Sequence, residues 1–140
     1  MISMGRKLDG AVVVVTGASS GIGRATGLAF ARRGARVVLA ARRADALEEL
    51  ARQCEAAGGQ ALAAPTDMTD EAAVTELARR AVERFGRIDV WVNNAGVYLL
   101  GSLEATPPEA FRRVLETNFF GYVHGPGRCC PASASMVTAC

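Results

Sequence analysis

Three glycines, Gly17, Gly21 and Gly23, stand in the run TGASSGIG, between a short apolar run and a segment of helical spacing. That context suits the phosphates of a dinucleotide. Gly17 permits a tight turn after a strand. Gly21 and Gly23 let a pyrophosphate approach bare backbone at a helix N-terminus, where N–H groups and the helix dipole favour anions. Ser19 and Ser20 add hydroxyl donors, and Ile22 sits between the last two glycines. A second feature is LAARR, in which Arg42 and Arg43 close an apolar run. A planar guanidinium can grip a phosphate through two parallel hydrogen bonds.

Other reactive side chains form no such pattern. Cys54 lies in a segment of helical spacing, and Cys129, Cys130 and Cys140 lie near the end. His124 with these last three thiols could be drawn as a zinc site, but no Cys-x-x-Cys pair exists, so no metal is expected. The net charge of +2 is too small to indicate nucleic acid or an acidic membrane surface as partner. No apolar run reaches the roughly 20 residues that span a bilayer, and the first ten residues lack the apolar centre of a secretory signal. A cytoplasmic protein is the expectation.

The elements that must position the glycines and arginines alternate along the chain. AVVVV, residues 11–15, is β-branched without polar alternation and suits a strand buried on both faces. A helix follows from Gly21 to a stop at Gly34, then a strand over residues 36–40 and an amphipathic helix carrying Leu47, Leu50 and Cys54 on one stripe. QALAAPTD is a weaker strand, Asp70 caps a helix that ends at Gly86, and residues 88–92 form a fourth strand. TPPE predicts a further helix with Thr106 as N-cap, Pro107 at the first helical position and Glu109 reaching back. A second helix or a kinked continuation runs through Phe119, Phe120 and Val123. This order predicts an α/β fold, a Rossmann-type doubly wound parallel sheet in the order 3-2-1-4, binding its ligand beyond the carboxyl ends of the strands.

TGASSGIG, TDM, NNAG and ETNFFG occur in order between about residue 8 and about residue 125. Together they resemble the short-chain dehydrogenase/reductase family. The resemblance implies an oxidoreductase that transfers hydride between a nicotinamide cofactor and a small alcohol or carbonyl substrate, homo-oligomeric at full length. It assigns Gly17, Ser19, Ser20, Gly21, Ile22 and Gly23 to the pyrophosphate, and Asp67 and Met68 to the adenine edge. Asn93, Asn94, Ala95 and Gly96 match the turn that supports the sheet and lines the cofactor ribose. Asn118 matches the catalytic asparagine that positions a water-linked lysine. At the end of the second strand, an acid suits the ribose hydroxyls of NAD and an arginine suits the 2′-phosphate of NADP. Ala41 stands where the acid is expected, followed by Arg42 and Arg43, so NADP is expected rather than NAD.

The sequence departs from the family in its acid–base pair. The family pairs a tyrosine with a lysine four residues on, and without that charge a phenol of pKa near ~10 is a poor base at neutral pH. Here Tyr98 is followed by Ser102, Tyr122 by Pro126, and the single lysine is Lys7. The expectation is a partial Rossmann domain over residues 1–125, truncated after about four strands, with an irregular tail over 126–140. Gly125-Pro126-Gly127 is expected to break the last helix and the fourth strand to present an unpaired edge. Shifted by one base at Gly125, Cys129-Cys130 reads as leucine and Met136-Val137 as glycine, within codons that admit a helix-compatible run. The tail is therefore expected to be out of frame. The alternative is a non-catalytic dinucleotide-binding or sensing protein.

Overall fold

The computed structural model describes residues 8–129 and 135–138. Strands and helices alternate as β1 (Val12–Thr16), α1 (Gly21–Ala31), β2 (Arg36–Ala41), α2 (Ala44–Ala56), β3 (Gln60–Pro65), α3 (Glu71–Phe85) and β4 (Val90–Asn93). There follow α4 (Pro108–Leu115), a π-helical turn (Glu116–Phe120), α5 (Gly121–Cys129) and β5 (Ser135–Thr138). The sheet runs β3-β2-β1-β4-β5 with every pairing parallel. The chain steps outward from β1 to β3, then crosses back through α3 to β4 on the other side of β1. The carboxyl ends of β1 and β4 therefore part, which opens a crevice at that end of the sheet.

β1 is buried along its whole length because helices cover both faces of the sheet. Successive side chains point to opposite faces. Val12 and Val14 join Leu77, Ala81, Phe85 and Trp91 on one side. Val13 and Val15 join Ala31, Leu47, Leu50 and Cys54 on the other. The helical stripe read from the sequence, Leu47, Leu50 and Cys54, is fully buried. Gly27, which weakens a helix by about 1 kcal/mol relative to alanine, lies where a Cβ would come within 2.8 Å of Leu39 Cδ2. Its missing side chain lets α1 settle closely on β2.

α3 begins and ends as the sequence predicts. The Asp70 carboxylate accepts from the Ala72 and Ala73 amides, and Gly86 closes the helix at φ 84°. β4 starts two residues later than expected. Asp89 instead anchors the entry of β1: its Oδ2 accepts from Val12 N and from Arg87 Nε, both at 2.8 Å, while its amide donates to Val12 O. α4 also starts one residue late. A residue before proline avoids helical angles, so Pro107 stays extended at ψ 141° and Pro108 takes the first helical position. Thr106 does not cap; its hydroxyl donates to Ser102 O at 2.6 Å.

Two expectations for the end of the chain differ from the structure. α5 continues through Gly125-Pro126-Gly127 to Cys129, and β4 is not an edge, because Val90–Asn93 pairs with Ser135–Thr138. A proline inside a helix costs roughly 3 kcal/mol, but α5 packs on α3 and β4, and tertiary packing overrides local propensity. A Cβ on Gly125 would lie 2.7 Å from Trp91 Nε1, so the glycine lets the helix backbone rest against the indole. Residues 1–7, 130–134 and 139–140, including Lys7, Cys130 and Cys140, lie outside the described residues.

Asp89→Ala should strand the buried Val12 amide and lower stability by about 1–3 kcal/mol. Asp89→Asn keeps an acceptor and should recover more than half of that loss, read as urea-unfolding midpoints at constant slope.

Candidate nucleotide-binding site

A cleft of about 720 Å³ opens at the carboxyl ends of the strands, and Gly17, Ser19, Ser20, Gly21 and Ile22 form part of its wall. Gly17 turns the chain out of β1 at φ 65°, and a Cβ there would lie 2.8 Å from the Ala95 Cα. Gly21 opens α1 at φ 53° with open space beside it. Gly23 stands behind the wall, where a Cβ would strike the Gly17 carbonyl oxygen and crowd Asn94 Nδ2 at 2.5 Å. Ser20 is the N-cap of α1 in extended conformation, but no side chain caps the helix and no acid lies in its first turn. The first-turn N–H groups are thus left for an anion. The bare glycine cradle and the uncapped helix start fit a pyrophosphate. Ile22, 72% exposed, offers apolar surface beside them.

The opposite wall comes from the exit of β4, and Thr16 holds it in place. The Thr16 hydroxyl donates to Val92 O at 3.2 Å and accepts from the Asn94 and Ala95 amides at 3.0 and 3.1 Å. Asn94 returns the contact, its Nδ2 donating to the Thr16 and Gly17 carbonyls. Asn94, Ala95 and Gly96 line the cleft. Asn93 points into the core instead, where its Oδ1 accepts from Trp91 Nε1 at 3.0 Å. Thr16 was not among the site residues read from sequence. The signal was present: it is the one hydroxyl closing an all-valine strand.

At the other end of the cleft lie Arg42, Arg43, Asp67 and Met68. Arg43 Nη2 donates to Ser19 O at 3.3 Å and ties β2's exit to the glycine loop. Asp67 Oδ1 accepts from both the amide and the hydroxyl of Thr69, at 3.0 and 2.8 Å. These bonds, the amide first, hold its carboxyl below the usual carboxylate range, with smaller help from the charges of Arg42 and Arg113. Met68 is buried, and its carbonyl faces Gly121 at the start of α5.

Asn118 does not line the cleft. It lies in the π-helical turn, and its side-chain amide clasps the backbone of Val97: Oδ1 accepts from Val97 N at 2.8 Å and Nδ2 donates to Val97 O at 3.0 Å. Its neighbours in this arrangement, Val97 and Thr117, do reach the wall. Asn118 therefore fixes the loop after β4 against the helix. Among the described residues no cluster of His, Cys, Asp and Glu is placed to hold a metal ion, and no helix is long and apolar enough to cross a membrane.

A sequence profile described as short chain dehydrogenase matches residues 11–137. The chain belongs to the short-chain dehydrogenase family. Among its relatives is an uncharacterized oxidoreductase, YxnA, of Bacillus subtilis, 42% identical over 86% of this chain and 34% of that protein. Another is dehydrogenase/reductase SDR family member 7B of Bos taurus, 43% identical over 81% of this chain and 37% of that protein. Solved structures of the family superpose closely. A 7α-hydroxysteroid dehydrogenase complexed with NADH and 7-oxo glycochenodeoxycholic acid is 34% identical, with TM-score 0.89 over 94% of this chain and 53% of that one. A Burkholderia phymatum short-chain dehydrogenase/reductase in complex with NAD is 33% identical, with TM-score 0.89 over 95% and 50%. This family member thus spans between a third and about half the length of these relatives.

Two outcomes test the geometry of the site. Thr16→Val keeps the shape but leaves the Asn94 and Ala95 amides without their acceptor, so it should cost about 1–3 kcal/mol in urea unfolding. Thr69→Val removes one of two donors to Asp67, so the Asp67 pKa should rise toward the ordinary carboxylate value in a carboxyl NMR titration. The sign follows from linkage. A depressed native pKa stabilises the fold above the unfolded-state value, and that stabilisation is lost as pH falls through the native value. The stability gap between wild type and Thr69→Val should accordingly narrow in acid.

Proposed function

We propose that the cleft binds NADP(H) and that the chain is the cofactor-holding part of an oxidoreductase acting on a small alcohol or carbonyl substrate. The observation that carries this reading is the exit of β2. Ala41 is buried where an acid would accept from the ribose of NAD, and Arg42 on the cleft wall offers a guanidinium to a 2′-phosphate. Membership of the family supports the oxidoreductase class.

Each part of the cleft then has a task. The uncapped start of α1 meets the pyrophosphate with backbone amides. Asp67 and the Met68 backbone meet the adenine edge, with the Asp67 carboxylate held in place by two donations from Thr69. Asn94, Ala95 and Gly96 line the ribose, held by the Thr16 hydroxyl. Asn118 keeps Val97 and Thr117 at the wall through its amide clasp. When bound, the nicotinamide supplies the hydride donor or acceptor. Proton transfer is assigned to no residue of this chain, because its 140 residues contain no tyrosine with a lysine four positions on. The chain by itself is expected to bind the nucleotide without turning it over.

Titration of the chain with NADPH and with NADH, followed by nucleotide fluorescence, tests the reading. The chain should prefer NADPH, and Arg42→Ala combined with Ala41→Asp should shift the ratio of affinities toward NADH by about tenfold or more. The new carboxylate repels a 2′-phosphate and accepts from a 2′-hydroxyl. A ratio unmoved by the double substitution defeats the NADP assignment.

A further inference from the structure

The glycine loop and the exit of β2 leave one charged side chain of the cleft unexplained. Arg113 lies in the last turn of α4 and lines the same cleft as Arg42, Asp67 and Thr117. No motif in the sequence singles it out. α4 follows β4 and lies some seventy residues beyond the β2 exit, so Arg113 and Arg42 meet at one cleft only through the fold.

The three arginines of the wall are not equivalent. Arg43 is committed to the Ser19 carbonyl. The Arg42 and Arg113 guanidiniums make no hydrogen bond or ion pair among the described residues. Asp67 is the single carboxylate on the described wall. The charge of both guanidiniums reaches it, yet its bonded oxygen is taken by Thr69 and it forms no ion pair with either. One carboxylate facing three guanidiniums leaves this wall net positive, and a cleft lined by one sign of charge concentrates ligands of the other. Each uncommitted guanidinium presents a planar fork of donors suited to phosphate oxygens.

A plainer reading is that Arg113 serves the helix dipole, since cations are favoured in the last turn of a helix. Arg112 occupies that same turn and is exposed outside the wall. It meets the dipole equally well; Arg113, exposed like it, differs in lining the cleft.

We infer that Arg113 is a specificity-determining residue, a second guanidinium that acts with Arg42 to select nucleotides carrying a phosphate on the adenosine ribose. The inference rests on the NADP reading and adds to it a contribution from α4, on the far side of the sequence from β2.

The test uses this chain and two small probes that differ by one phosphate, adenosine 2′,5′-bisphosphate and adenosine 5′-monophosphate, titrated by calorimetry. Arg113→Met should weaken binding of the bisphosphate about tenfold and change the monophosphate by less than about twofold. Arg113→Lys should recover part of the loss, since it keeps the charge without the fork. Arg112→Met, with the same helix and the same charge change, should alter neither. Added salt should shrink the discrimination of the wild type more than that of Arg113→Met. An unchanged thermal midpoint for Arg113→Met separates the effect from unfolding. Equal losses for the two probes, or a loss matched by Arg112→Met, overturn the inference. If Arg42→Met abolishes discrimination while Arg113→Met leaves it intact, this inference falls and the NADP reading stands. If the wild type itself does not discriminate, both fall.

Discussion

The cleft depends on a single hydroxyl at the place where two neighbouring strands part. Beyond the last paired residues of β1 and β4 the backbone loses its ladder partners, and buried amides without acceptors are costly. Thr16 replaces the missing ladder: one oxygen donates to β4 and accepts from two amides of the loop that leaves it. Asn94 closes the same junction from the other strand. Two walls that would otherwise drift apart are thereby held at a fixed spacing. The glycines then make that spacing small, since a Cβ on Gly17 or Gly23 would occupy the space in which the two loops touch.

Around this junction the polar groups divide into those that build and those that face outward. Asn93 and Asn118 are consumed by Trp91 and Val97. Asp67 is held by Thr69, and Arg43 by Ser19. What faces the cleft is mostly donor: the first turn of α1, Arg42 and Arg113. A wall of donors prepared in advance suits an anionic ligand, because little reorganisation is needed when it binds.

Much of this was legible in the sequence wherever the cause is local. The valine run of β1, the Asp70 cap and the Gly86 stop act within a few residues, and the structure repeats them. The glycine loop was legible because its context, strand before and helix after, is also local. What escaped was set by distant partners. Asp89 leaves β4 to bond Val12, 77 residues away in sequence. Thr16 acquires its role only when the β4 exit arrives. Arg113 reaches the cleft only because the chain beyond β4 brings α4 alongside it. The helix through Pro126 contradicts local propensity, and its packing on α3 and β4 accounts for it, while the strand beyond it pairs with β4.

The separation of Thr16 from its partners also sets the chain entropy that closing the cleft must overcome. Val12 meets Arg36 across one helix, whereas Thr16 meets Asn94 across three. Closing the longer loop costs about 1 kcal/mol more in chain entropy, since each doubling of length adds about 0.6 kcal/mol. Pairing of β1 with β2 around α1 is thus the local closure, and the junction with β4 is the longer one. The wall built by β1 and β2 thus rests on a local closure, whereas the depth of the cleft rests on the longer one that the Thr16 hydroxyl completes.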